Sequence, residues 1–229
     1  MNRSILFALV LMAGVAGQAS AVTILSTDFD GRIVAGSTAS NLTWITNGVA
    51  DPGNLTAATN PDGLFDTADA QNRFAVDRNL HNEGSWSVDI SLAVGAAGID
   101  LTTVNLDAFI FNNAGDLQGD GRHLSMTAEL LDAGLTGIDS DTVADIFTHN
   151  EPGLTQPKAV TFDLSGNTLA ANTTYTLRLI AFGQGPGNNS GLDNLVVNGD
   201  ILAAPVPEPV SAGLALMGVA GLALRRRRS

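Results

Sequence analysis

The chain has 229 residues, 15% of them charged and none of them cysteine, so disulfides, thiolate metal sites and a cysteine nucleophile are excluded. Its formal charge of −12 is unevenly spread: residues 22–205 hold 22 acidic against 6 basic groups, a net −16, while Arg3 and a block of four arginines lie at the ends. A body of that sign with no basic stripe repels nucleic acid and anionic headgroups, so neither is expected as its partner.

At the start, Arg3 precedes an apolar stretch over 5–15 and then the small residues Ala19, Ser20 and Ala21. That order predicts a secretory signal peptide over 1–21, cut by signal peptidase between Ala21 and Val22. The apolar stretch is shorter than the ~20 residues a bilayer-spanning helix needs.

Strands are predicted over 22–29, 42–46, 73–77, 85–94, 106–111, 123–131, 159–164, 174–182 and 192–201. The clearest is 85–94, where Trp86, Val88, Ile90, Leu92 and Val94 alternate with Ser85, Ser87, Asp89 and Ser91. Over 106–111, Phe109 and Phe111 join Leu106, Ala108 and Ile110, the composition of a strand buried on both faces. Turn clusters over 112–115 and 183–187 separate the runs. Many short strands punctuated in this way predict an all-β fold over 22–205, an antiparallel β-sandwich of jelly-roll-like type. The strand over 175–182, its glycine-rich loop and the run over 191–197 resemble the last two strands of jelly-roll domains, carbohydrate-binding modules among them. In such domains the first and last strands are commonly neighbours, so the resemblance implies that Asp28 and Asp30 lie near Asp193.

The segment over 206–229 has three parts in order. Val206, Pro207, Glu208 and Pro209 lead into an apolar run over 210–224, which ends in Arg225, Arg226, Arg227 and Arg228. As a helix the run rises only about 22 Å, a thin transmembrane helix against a hydrocarbon core of ~30 Å. The arginine block is expected on the cytoplasmic side, with the acidic body outside. This arrangement resembles the PEP-CTERM sorting signal. The resemblance implies recognition of Pro207, Glu208 and Pro209 by a membrane-embedded exosortase that cleaves the tail, transient anchoring in the inner membrane, and a final place at the cell envelope or outside the cell of an exopolysaccharide-producing bacterium.

Several chemistries lack their motifs. Lys158, the single lysine, follows Gln156 and Pro157 and belongs to no phosphate-binding loop. Ser190 sits one place off a nucleophile elbow. His81, His123 and His149 are too dispersed for a zinc pair, and are expected as loop or strand-edge residues. Carboxylates are plentiful, as in Asp28/Asp30, Asp62/Asp66/Asp69, Asp116/Asp120 and Asp139/Asp141/Asp145, yet 22 acids on one sandwich produce glycosidase-like spacings by chance. Asp28 and Asp30 precede Gly31 and offer hard oxygen ligands to a structural Ca2+, with Asp193 as a third candidate; the competing reading is that they bond their own backbone in turns. Trp44 and Trp86 fall in strand patterns and are expected in the core rather than as sugar-stacking platforms.

Three functions follow. The preferred one is an exported, non-enzymatic surface or matrix protein associated with exopolysaccharide or biofilm. The alternative is a carbohydrate-binding module for exopolysaccharide, and behind both stands a hydrolase on a jelly-roll scaffold.

Overall fold

The computed structural model describes residues 21–29, 33–35, 38–40, 45–46, 50–57, 85–111, 117, 123–148, 154–182 and 189–202. Twelve strands run through them in chain order, and no helix. They are β1 (Val22–Thr27), β2 (Ile33–Ala35), β3 (Thr38–Ser40), β4 (Ile45–Thr46), β5 (Ala50–Ala57), β6 (Ser85–Val94), β7 (Ile99–Phe111), β8 (Leu124–Leu131), β9 (Gly137–Phe147), β10 (Lys158–Leu169), β11 (Thr174–Phe182) and β12 (Asn189–Ile201). All pairings are antiparallel. One sheet has the order β10-β7-β12-β1-β4 and the other β2-β3-β5-β6-β11-β8-β9. From β6 onward the chain changes sheet at every connection except β8–β9, the jelly-roll habit, and β1 does lie beside β12. Residues 1–20 of the signal peptide, the strand predicted over 73–77, Trp44 and the tail lie outside the described residues. Among the described residues no helix is long and apolar enough to cross a membrane.

Alternation explains the core. In β6 the side chains of Trp86, Val88, Ile90, Leu92 and Val94 are buried, and they meet Tyr175, Leu177, Leu179 and Ala181 from β11 within the same buried cluster. From the facing sheet come Val104, Leu106, Ala108 and Ile110 of β7 and Leu195 and Val197 of β12. Phe109 and Phe111 are buried as a separate pair on the other face of β7, as a strand covered on both sides requires. Gly199 of β12 marks the tightest approach between strands: a Cβ there would meet the Asp100 carbonyl oxygen at 2.6 Å.

Four strands, β2, β3, β5 and β9, lie where the sequence predicts none, and two of them show why. β5 contains Pro52 and Gly53, residues that ordinarily end a strand, and the ladder absorbs them in a register shift between Pro52 and Leu55. β9 carries aspartates where apolar residues were sought. Its inward Asp139 and Asp141 reach β10 at the rim of the opposite sheet. Asp141 Oδ2 accepts the Asp163 N–H at 2.8 Å, and Asp139 Oδ2 accepts the Asn167 side-chain N–H at 2.6 Å. Inward charges on an edge strand also discourage pairing with another chain. Polar bonds therefore close this side of the sandwich.

Candidate functional site

Register assembles one row of side chains on the outer face of the larger sheet. Asp89 of β6 lies opposite Arg178 of β11, Arg178 opposite Glu129 of β8, and Glu129 opposite Ser140 of β9. Arg178 interrupts a strand whose inward residues are apolar, so its guanidinium stands on the outer surface with a quarter of the side chain exposed. It is held there by a two-pronged bond, Nε to Asp89 Oδ1 at 2.7 Å and Nη2 to Asp89 Oδ2 at 2.9 Å. This fork is the strong form of the guanidinium–carboxylate contact. The bonds to Asp89 raise the Arg178 pKa above its ordinary value; partial burial opposes them, and attraction by Asp89 and Glu129 adds to them.

The row opens into a groove of about 530 Å³. Its polar lining is Glu129, Asp139, Ser140 and Arg178, and its apolar lining includes Leu135 and Ile138. These two aliphatic side chains are 55% and 46% exposed, unusual for residues so readily buried. The β8–β9 turn keeps Leu135 outside. Asp132 Oδ1 accepts the N–H groups of Gly134 and Thr136, both at 2.8 Å, while the Leu135 N–H donates to the Asp132 carbonyl at 3.0 Å. Leu135 itself sits at φ 61, a conformation that bulky residues rarely adopt. A strained, tightly bonded turn thus presents an apolar side chain at the edge of a charged groove.

The outer face of the smaller sheet differs. A continuous chain of neutral side chains crosses β10, β7, β12 and β1: Thr161 donates to Asn105, Asn105 and Asn198 both donate to Thr103, and Thr23 donates to Asn198. Aspartate pairs flank this ladder, Asp107 opposite Asp193 and Asp100 opposite Asp200. Asn194, at a bulge with φ 50, donates its side-chain N–H to Asp107 at 2.8 Å.

The sequence candidates are distributed as follows. Asp28 is exposed just beyond the β1–β12 pairing and Asp193 stands in β12 at the same end, on the neighbouring strand. Asp30 is outside the described residues. Among the described residues no group of three His, Cys, Asp or Glu side chains is placed to hold a metal ion. His123 is exposed at the start of β8, 3.6 Å from Asp145. Trp86 is buried. Pro207, Glu208, Pro209 and the four terminal arginines lie outside the described residues, as does Ala19–Ser20 before the expected cleavage point. The groove was not foreseen: Asp139 stands in the sequence as one acid among many, and nothing local joins Glu129 or Ser140 to Arg178.

No family model and no curated relative matches the chain. Solved structures that resemble it include a carbohydrate-binding module in complex with β-1,4-galactotriose, at 11% identity and a TM-score of 0.34 over 75% of this chain and 90% of that one. A second is a carbohydrate-binding module that recognises mannan, at 12% identity and 0.38 over 79% and 99%. A third is a putative glycoside hydrolase from Bacteroides vulgatus, at 9% identity and 0.40 over 75% and 96%. These are likenesses of fold.

Proposed function

We propose that the chain is an exported, non-enzymatic surface protein whose β-sandwich holds a glycan in the groove on β8, β9 and β11. The observation that carries this reading is the composition of the groove. Sugar rings offer hydroxyls around an apolar C–H face, and a site for them needs fixed polar groups beside an apolar surface. Glu129 supplies acceptors, Arg178 clamped by Asp89 supplies donors, Ser140 supplies both, and Leu135 and Ile138 supply the apolar surface. Between a purely structural surface protein and a carbohydrate-binding one, this groove favours the second.

Glycoside cleavage is not part of the reading. It needs two carboxylates acting across one bond. Asp139 turns to the inner face and is engaged by the Ser140 N–H and by Asn167, and Asp89 is clamped to Arg178, which leaves Glu129 as the groove carboxylate without such a tie among the described residues.

Export and sorting complete the proposal. The signal peptide over 1–21 directs secretion, the run over 210–224 anchors the chain transiently in the inner membrane, and an exosortase-like enzyme recognises Pro207, Glu208 and Pro209. The glycan nearest to a protein so sorted is the cell's own exopolysaccharide. Retardation of the full chain, purified in mild detergent, on native gels containing soluble galactan or mannan tests the binding claim. The expected result is retardation that is lost in Leu135→Ser, a substitution at an exposed position. Equal mobility with and without polysaccharide overturns the claim.

A further inference from the structure

We infer that the groove selects uncharged glycans and turns away polymers bearing uronate or sulfate groups. The inference rests on the reading of the groove as a glycan site and names the class that this site takes. A sugar carboxylate or sulfate is recognised best by a guanidinium that offers it a free fork of parallel N–H groups. Arg178 is the one cationic side chain among the described residues lining the groove, and its side-on fork is already closed on Asp89 through Nε and Nη2. Its other flank lies against Glu129 on the adjacent strand, whose charge it also feels. Asp89 and Glu129 thus place two carboxylates against one guanidinium, a local formal charge of −1.

An anionic polymer entering the groove meets like charge, and the one cation lining it among the described residues is already balanced by Asp89. One uncompensated charge at ~6 Å in a partly wet site changes affinity by roughly tenfold. An uncharged sugar meets no such barrier. Its hydroxyls donate to Glu129 and Ser140, and its C–H face lies on Leu135 and Ile138, beside the Asp132-bonded turn.

Affinity electrophoresis of the full chain in detergent, in gels containing galactan, mannan or polygalacturonate, reads the selection directly. At low salt the dissociation constant for galactan or mannan is expected to be at least about tenfold lower than that for polygalacturonate. The gap should narrow at about 0.5 M NaCl, because salt screens exposed charge. Glu129→Gln should narrow it several-fold at low salt. Asp200→Asn, which removes the same charge from the opposite sheet, should leave it unchanged, and so separates the groove's own field from the acidity of the whole body. Polygalacturonate bound as tightly as galactan, or a gap narrowed equally by both variants, overturns the inference and leaves the glycan reading standing. Failure of all three polymers to retard the chain overturns the reading on which the inference rests.

Discussion

The indole N–H of Trp86, in β6 of the larger sheet, donates to the hydroxyl of Ser190, in β12 of the smaller one, at 2.9 Å within the buried interior. The two sheets are therefore joined by a directional bond as well as by apolar packing. Ser190→Ala removes this acceptor and is expected to cost about 1 kcal/mol, against about 3–5 kcal/mol for Trp86→Ala, which also leaves a cavity. In a double-mutant cycle built with Trp86→Phe and Ser190→Ala, chemical denaturation should show the two losses to be coupled. Strict additivity would mean that the bond contributes nothing to stability.

A gain of stability is expected at Asp200. It lies directly opposite Asp100 across β12 and β7, and its buried Oδ1 accepts no hydrogen bond from any described residue. Like charges facing each other across a strand pair are destabilising, and an amide nitrogen has protons to donate to Asp100. Asp200→Asn is predicted to stabilise the fold by about 0.5–1 kcal/mol, which for a domain of this size raises Tm by roughly 2 °C. A lower Tm would show that the carboxylate has a partner of its own.

Acid should loosen the β10 bulge. The Ser165 hydroxyl, and after it the Ser165 N–H, hold the exposed Asp163 carboxyl below its ordinary value of 3.8. The bulge that places them depends on Gly166 at φ +88. A group whose folded pKa is lowered stabilises the fold above its unfolded pKa, and that contribution disappears as pH falls through the folded value. Asp163→Asn should therefore be less stable than the parent at neutral pH, with the difference shrinking below about pH 4. Denaturation midpoints at neutral and acid pH check this; a deficit that stays constant across the range contradicts it.

The parts of this fold that a sequence discloses are those where one side chain alone fixes its own environment. Trp86 to Val94 alternates because every second residue is buried, and β6 begins and ends where the pattern does. β9 escaped notice for the opposite reason. Its inward Asp139 and Asp141 are satisfied by Asn167 and Asp163, partners more than twenty residues away, so neither face of the strand looks apolar. The groove was illegible on the same grounds. Asp89, Glu129, Ser140 and Arg178 become a row only through the registers of four strands, and the exposure of Leu135 depends on a turn closed by Asp132.

Processing of the tail is predicted to depend on Glu208 separately from membrane insertion. On the proposed sorting reading, the prolines on either side of it favour an extended segment ahead of the apolar run, open to a membrane enzyme. Glu208→Ala should leave insertion intact, because the run over 210–224 and the four arginines are unchanged, while uncut chain accumulates in the membrane. Immunoblotting of membrane and medium fractions from the native host distinguishes the outcomes. Identical uncut bands in parent and variant would identify the tail as a plain anchor.

The central claim, that a glycan sits in the groove on β8, β9 and β11, is tested most directly by backbone amide chemical shifts of the chain titrated with soluble galactan. The account predicts saturable shifts at Glu129, Leu135, Ile138, Ser140 and Arg178, with Thr103, Asn105 and Asn198 on the opposite sheet unmoved. Shifts confined to that opposite ladder, or none at a polysaccharide concentration that retards the chain on gels, would contradict it.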